Sequence, residues 1–249
     1  MIDVHLHILP GVDDGPSTLA DALTLARSLV QEGVQVAVAT PHYNDEYPQR
    51  PAREIVERVS DLQRELDRYA IPLRLLAGHE ALIQPGLAAD VQSGRIATLN
   101  GSRYLLLELW NSSWLPETER VIFELRALGI VPVLAHPERY HTIQQDYNRL
   151  RVLLEQGVLA QLTAGSLVGL QGKTARKCAE TLLKRGLIHC IASDAHGPGR
   201  RPPAILEGMQ AVERIVGRVQ AGHMIESYPA AIVQNRSLDA FATIAPRVM

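Results

Sequence analysis

Gly129-Ile130-Val131-Pro132-Val133-Leu134-Ala135-His136-Pro137-Glu138-Arg139 carries the pattern on which the fold turns. A glycine closes the helix-like segment Glu117–Leu128, because glycine enters the left-handed conformation of a helix end without steric cost. The apolar run Ile130–Ala135 follows. It is continuous rather than alternating, as in strands buried on both faces of a parallel sheet. The run then breaks into residues suited to binding metals, protons and anions.

The same unit recurs along the chain. Apolar runs occupy Ile2–Ile8, Val34–Thr40, Leu73–Ala77, Tyr104–Leu109, Ile130–Ala135, Val158–Thr163 and Leu187–Ala192. Between them lie helical patterns at Leu19–Glu32, Arg53–Tyr69, Glu117–Leu128, Tyr147–Gln156 and Thr174–Arg185. Pro203–Arg218 and a short segment near Pro229–Asn235 follow the last run. Ser17 or Thr18 can cap the first helix, and Gly33, Gly157 and Gly186 punctuate as Gly129 does. Seven βα repeats without a break in composition predict an α/β fold with one parallel barrel, residues 1–249 forming a single domain. The count is one short of the usual eight. Gln84–Asn100, the least regular stretch, reads as a helix plus loop over the barrel mouth.

The polar residues sit where the runs end. The first closes with His5-x-His7, followed by Pro10-Gly11-Val12-Asp13-Asp14-Gly15. Others end in Thr40-Pro41-His42, Gly78-His79-Glu80, Glu108, His136-Pro137-Glu138-Arg139 and Ser193-Asp194-Ala195-His196. Strand ends of a parallel barrel converge on one face, which gathers these residues into one pocket. His-x-His places both imidazoles on one side of a strand, since side chains alternate with period two. Carboxylates inside a fold need pairing or a cation, or each costs several kcal/mol. Imidazole plus carboxylate without cysteine suits manganese, iron or zinc. The ligands outnumber what one ion needs, so two or three ions are expected. A carboxylate bridging two ions beside a shared hydroxide is a device for hydrolysing phosphate esters.

Bulk properties narrow the alternatives. A net charge of -2 and 4% aromatic residues argue against a nucleic-acid-binding surface. No basic leader precedes an apolar core at the N-terminus, and no run reaches the roughly 20 apolar residues that span a bilayer. A cytoplasmic location without membrane insertion is expected. Cys178 and Cys190 follow neither a metal nor a disulfide spacing and read as buried reduced thiols.

The strings HLHILPGVDDGP, ATPHY, GHE, LLLEL, AHPERY, TAGSLVG and SDAHGPGRRPP, with SYPAAIVQN near the end, resemble the polymerase-and-histidinol-phosphatase (PHP) superfamily. Within it they are similar to the manganese-dependent protein-tyrosine phosphatases of bacterial capsule and exopolysaccharide loci, the CpsB type. The resemblance covers essentially the whole chain and implies a distorted (β/α)7, TIM-like barrel of the PHP fold. It also implies three metal positions. His5, His7, Glu80 and Asp194 would hold one Mn2+. Glu80 would bridge to a second with Glu108 and His136, while Asp14, His42 and His196 would hold a third. Arg139 and Arg201 would grip the substrate phosphate, with Arg200 the alternative to Arg201. The implied substrate is a phosphotyrosine protein, a partner tyrosine kinase of polysaccharide synthesis, attacked in line by a metal-bridging hydroxide. Competing readings are a histidinol-phosphatase-like small-molecule enzyme, a PHP exonuclease and a non-catalytic metal scaffold.

Trp110, Trp114 and Tyr140 follow strand ends and either wall an aromatic ring of the substrate or pack the rim. Asp13 reads as turn chemistry or an orienter beside Asp14, and Glu138 as either a support behind the ligands or half of a structural ion pair, not a ligand. His79, His141, His189 and His223 match no ligand position. The charged Gln49–Arg68 segment reads as a solvated helix face.

Overall fold

Gly129 takes φ +77° and ends the helix Thr118–Ala127, after which Val131–Ala135 runs as a buried strand. The structure, a computed structural model, describes residues 1–110, 117–197 and 199–238. Trp114 lies outside the described residues.

Among these residues the strands are β1 (Ile2–Leu6), β2 (Val36–Ala39), β3 (His42–Tyr43), β4 (Arg74–Ala77) and β5 (Glu80–Leu82). Then come β6 (Tyr104–Glu108), β7 (Val131–Ala135), β8 (Leu159–Thr163) and β9 (Cys190–Ala192). All ladders are parallel. They fall into two sheets, β1-β2-β4 and β3-β5-β6-β7-β8-β9. The division arises because two neighbouring strands are interrupted side by side. Thr40-Pro41 separates β2 from β3, and Gly78-His79 separates β4 from β5. Gly78 N donates to Ala39 O and Glu80 N to Pro41 O across the break, so the chains stay in step. Joined across their breaks, these segments make seven barrel positions. Between β9 and β1 the ring is linked by one parallel bridge, Leu6–Ala195, rather than by a ladder.

The barrel has an inner and an outer apolar layer. Val4, Val38, Leu106, Val133, Cys190 and Ala192 point inward, with Ile232 and Val233 from the helix Tyr228–Val233 closing the floor. The outer layer packs strands against helices. There Leu25, Leu29, Ile55, Leu66, Leu125 and Leu182 are fully buried, each contributing roughly 1.5–3 kcal/mol through apolar burial. In the helix Ala52–Arg68 the buried residues are Ile55, Val59, Leu62 and Leu66, spaced for one face, and the charges lie opposite. Arg53–Glu57 and Arg64–Asp61 are exposed pairs on that helix and Arg58–Glu54 a half-exposed one, and pairs of this kind are worth roughly a few tenths of a kcal/mol. Thr18 caps the helix Leu19–Gln31 through Asp21 N. Gln84–Asn100 contains the short helix Leu87–Gln92.

Candidate metal centre

Strand β1 does not alternate evenly. Val4 faces the barrel interior and Leu6 the outer layer, with a register shift between Asp3 and Leu6. The shift brings His5 to the interior side that Val4 occupies, and His7, two residues on, shares that cavity, where their Nε2 atoms stand 3.2 Å apart. Bulges re-aim side chains in this way near functional sites. Asp3 holds the bulge in place. Its Oδ1 accepts from His5 N at 3.3 Å and from Ser193 N at 3.0 Å, tying β1 to the loop that carries Asp194. The sequence pattern gave Asp3 no role; a charged residue in a buried strand is the signal that marks it.

Two site residues adopt left-handed backbone: His136 at φ +37° and Asp194 at φ +51°. Such conformations cost on the order of 1–3 kcal/mol and persist where surroundings over-determine them. Asp194 N donates to His5 O and Ala195 N to Ser193 Oγ. Beyond His136, buried Glu138 accepts from Ser166 Oγ at 2.6 Å and Thr163 N at 3.2 Å, pinning the turn Pro137–Arg139. Glu138 is thus a structural anchor, although through a hydroxyl and an amide rather than an ion pair. Gly15 permits the approach of the Asp13-Asp14 loop, since a Cβ there would stand 2.7 Å from His7 O.

Glu80 is the centre of the cluster. Its Oε2 lies 3.3 Å from His5 Nε2, 3.3 Å from His7 Nε2 and 3.1 Å from His42 Nδ1, and its Oε1 lies 2.8 Å from His136 Nε2. Asp194 Oδ1 approaches His5 at 3.4 Å. Asp14 Oδ1 approaches His196 at 3.1 Å and His42 at 3.6 Å, and Glu108 approaches His42 at 3.4 Å. All nine residues read from the sequence as ligands come together. Their closest groupings are His7-Asp14-His42-His196, His5-His7-Glu80 and His42-Glu80-Glu108. These overlap at His7, His42 and Glu80 instead of dividing into three separate sets.

The donors fit divalent cations. His5 Nδ1 donates to Gln161 Oε1 at 2.8 Å, His7 Nδ1 to Asp13 Oδ2 at 2.6 Å and His196 Nδ1 to Asp194 O at 2.9 Å. Each outer bond leaves an Nε2 lone pair aimed inward, the usual support for a metal-binding imidazole. Asp14 Oδ1, His42 Nδ1, Glu80 Oε2 and His196 Nε2 are buried without a hydrogen-bond partner. They fall on two sides of His42, with Asp14 and His196 on one and Glu80 on the other, so more than one cation would be needed to satisfy them. Burial alone would raise the Glu80 carboxyl, yet His5, His42 and His136 outweigh it and hold it well below the usual carboxylate range. Asp194 is likewise held at about 2 against burial by His5, His136 and Arg139. Burial pulls His7 down, but Asp13 and Glu80 prevail and lift it to about 9. These are the fields that favour a cation wherever a proton can be replaced.

Two arginines stand at the pocket, and both approach Asp194. Arg139 Nη1 donates to Asp194 Oδ2 at 2.6 Å, and Arg201 Nη2 to Asp14 Oδ2 at 3.0 Å. Arg200 is 71% exposed and only 4.0 Å from Asp14, so Arg201 is the better placed of the two. The pocket above the carboxylates is lined by Asp14, His42, Glu80, Glu108, His136, Arg139, Asp194 and Arg201, with Asn44, Glu46, Tyr47, Leu82, Leu109 and Trp110 on its walls.

Tyr140 corrects an expectation. It is 1% exposed, and its hydroxyl accepts from Leu109 N at 3.0 Å, so it packs behind the wall and meets no ligand there. The residue after an Arg in a tight turn is carried back under the strand end, which sequence spacing did not reveal. Buried His79 and half-buried His189 accept from Ala97 N and Ala160 N and belong to none of the ligand groupings. Cys178 and Cys190 are buried and pushed up to about 12, far from thiolate chemistry.

Comparison with known proteins agrees with this geometry. A tyrosine-protein phosphatase of Bacillus subtilis, YwqE, is 33% identical over 239 residues, covering 96% of this chain and 93% of its own. The tyrosine-protein phosphatase CpsB of Streptococcus agalactiae serotype III is 29% identical over 241 residues, 94% of this chain and 99% of its own. A solved structure from work on YwqE of B. subtilis and CpsB of Streptococcus pneumoniae, described as metal-dependent tyrosine phosphatases, superposes with a TM-score of 0.92. It is 32% identical and covers 95% of this chain and 96% of that one. Residues 1–234 match the family described as Capsular polysaccharide synthesis, CpsB/CapC, and the chain belongs to that family.

Proposed function

We propose that this chain is a metal-dependent protein-tyrosine phosphatase of capsule or exopolysaccharide synthesis, its single domain working in the cytoplasm. One observation carries the reading: four imidazoles converge on Glu80 while two arginines flank the same pocket. Metal-assisted phosphate monoester hydrolysis uses that pairing of cation sites with planar donors. Among the described residues no helix is long and apolar enough to cross a membrane.

His5, His7, Asp14, His42, Glu80, Glu108, His136, Asp194 and His196 would hold two or three ions. Mn2+ is the proposed metal, since oxygen and imidazole donors without sulfur suit it, with iron or zinc as substitutes. When bound, the ions would polarise phosphoryl oxygens and lower the pKa of a water. The rest falls to the chain itself. Gln161, Asp13 and the Asp194 carbonyl hold the three outer N–H groups, so that the Nε2 lone pairs would aim inward once a cation replaces the protons. Arg139 and Arg201 each carry five N–H donors, of which the carboxylate contacts use few, leaving forks for the equatorial phosphoryl oxygens. Leu82, Leu109 and Trp110 keep water from one side of the pocket. Neither cysteine contributes a nucleophile.

The substrate we propose is a tyrosine-phosphorylated protein, with the tyrosine kinase of the polysaccharide pathway as partner. The test combines metal analysis with turnover of a phosphotyrosine peptide by wild type and Arg139→Ala. The variant is expected to keep its metal and lose at least a hundredfold in kcat/KM, about 3 kcal/mol. Tenfold preference of the wild type for histidinol phosphate over the peptide would overturn the tyrosine reading.

A further inference from the structure

The pocket is lined mostly by charged and polar groups, Glu46 and Asn44 among them, but Tyr47, Leu82, Leu109 and Trp110 add apolar surface to the same lining. A phosphate alone has no use for such surface. An apolar surface beside an anion site matches a ligand whose phosphate is attached to an apolar body.

Tyr47 is held in place by two devices. Asn44, itself 5% exposed, accepts from Glu46 N at 3.0 Å and Tyr47 N at 3.3 Å, which folds the loop after β3 back over the pocket. The Tyr47 ring then stacks on His42, with centroids 5.4 Å apart and planes 6° from parallel. A preset ring loses little freedom when a second ring packs on it, so its contact is realised as affinity. Trp110, 40% exposed, stands on the same pocket with area still to bury.

We propose that Tyr47, with Trp110, forms the ring wall that makes the site prefer aryl over alkyl phosphates. The proposal rests on the phosphatase reading and adds the residue that sets its substrate class. Tyr47 acts as a specificity-determining contact. Arg139 and Arg201 remain the groups for the phosphate.

The experiment compares manganese-loaded wild type, Tyr47→Ala and Tyr47→Phe on two peptides of one sequence, bearing phosphotyrosine or phosphoserine. Metal content is measured on the same preparations. Tyr47→Ala is expected to lower the ratio of kcat/KM between the two peptides about tenfold, mostly through KM on phosphotyrosine, with metal retained. Tyr47→Phe should restore the ratio, since the ring and not the hydroxyl makes the contact. An unchanged ratio in Tyr47→Ala would overturn the proposal. So would loss of metal with a uniform fall on both peptides, which would make the stack on His42 the whole role. Wild type that handles both peptides equally well would instead remove the tyrosine reading itself.

Discussion

The Nε2 atoms of His5 and His7 face each other at 3.2 Å, and against burial the carboxylates around them raise both imidazoles, His7 to about 9, so a proton or a cation belongs between them. Their outer nitrogens are committed to Gln161 and Asp13, so neither ring can turn its proton inward at no cost. Asp3 keeps this confrontation in place from below. Asp3→Ala removes the acceptor for His5 N and Ser193 N, and it should lower metal affinity by roughly 10–100-fold, the range seen for outer-shell partners of metal ligands. Asp3→Asn keeps a carbonyl oxygen at the same place and should fall well short of that loss. Titration of the metal-free protein with Mn2+ by calorimetry separates the two variants, and equal losses in both would show that charge rather than the two N–H bonds is what matters.

Elements show where the sequence could and could not be read. The continuous runs at Tyr104–Leu109, Ile130–Ala135 and Val158–Thr163 became strands nearly as expected, because long apolar segments carry their own burial signal. Pieces as short as His42–Tyr43 and Glu80–Leu82 have no periodicity to read, so the resumption of two strands past Pro41 and Gly78 was invisible. It nevertheless sets His42 and Glu80 in paired register, which brings these two ligands together. That these histidines and acids gather in one pocket was legible, since such residues at the ends of apolar runs are costly unless used. Their grouping was not, because it depends on the bulge in β1 and the turns at His136 and Asp194. Tyr47 was equally hidden; its loop follows His42 in sequence, but only the fold shows it returning to the pocket.

The helix Ala164–Leu167 shows how far from the metals an element can matter. Gly208, on the helix Ile205–Val216, lies so close that a Cβ there would stand 2.7 Å from Ala164 Cβ and 2.9 Å from Ala164 O. Gly208→Ala should therefore cost about 1–3 kcal/mol, read as a fall in the urea midpoint. Because Ser166 on the displaced helix anchors Glu138, the folded variant should also lose part of its kcat with little change in KM. A destabilised variant with unchanged kcat would uncouple that helix from Arg139.

For the whole molecule, histidines outside the cluster add to the acid sensitivity of its carboxylates. Burial lowers both His79 and His189 to about 4, and each Nδ1 accepts a backbone N–H, so both are neutral in the folded state. Their folded pKa lies below the unfolded one of about 6.5, so the unfolded chain binds more protons in between. Stability is therefore full above about pH 6.5 and declines as the pH falls toward 4, by up to ~3 kcal/mol per group. Urea midpoints between pH 7 and pH 4.5 measure the slope, and His189→Gln should flatten it. Chelation adds a second loss: removing metal leaves Glu80, Asp14 and Asp194 facing one another's partners without a cation, and a lower Tm with EDTA, restored by Mn2+, is expected.

The barrel floor comes last. Ile232 and Val233 close the inner layer, but they follow β9 by some forty positions in the sequence and belong to no strand. A ribosome therefore releases all the strands before it releases the residues that dry their interior. Until Tyr228–Val233 emerges, Val4, Val38 and Leu106 surround an open-bottomed tube. The nascent chain must wait, its walls assembled and its base still wet, and that interval is when chaperones or aggregation would find it.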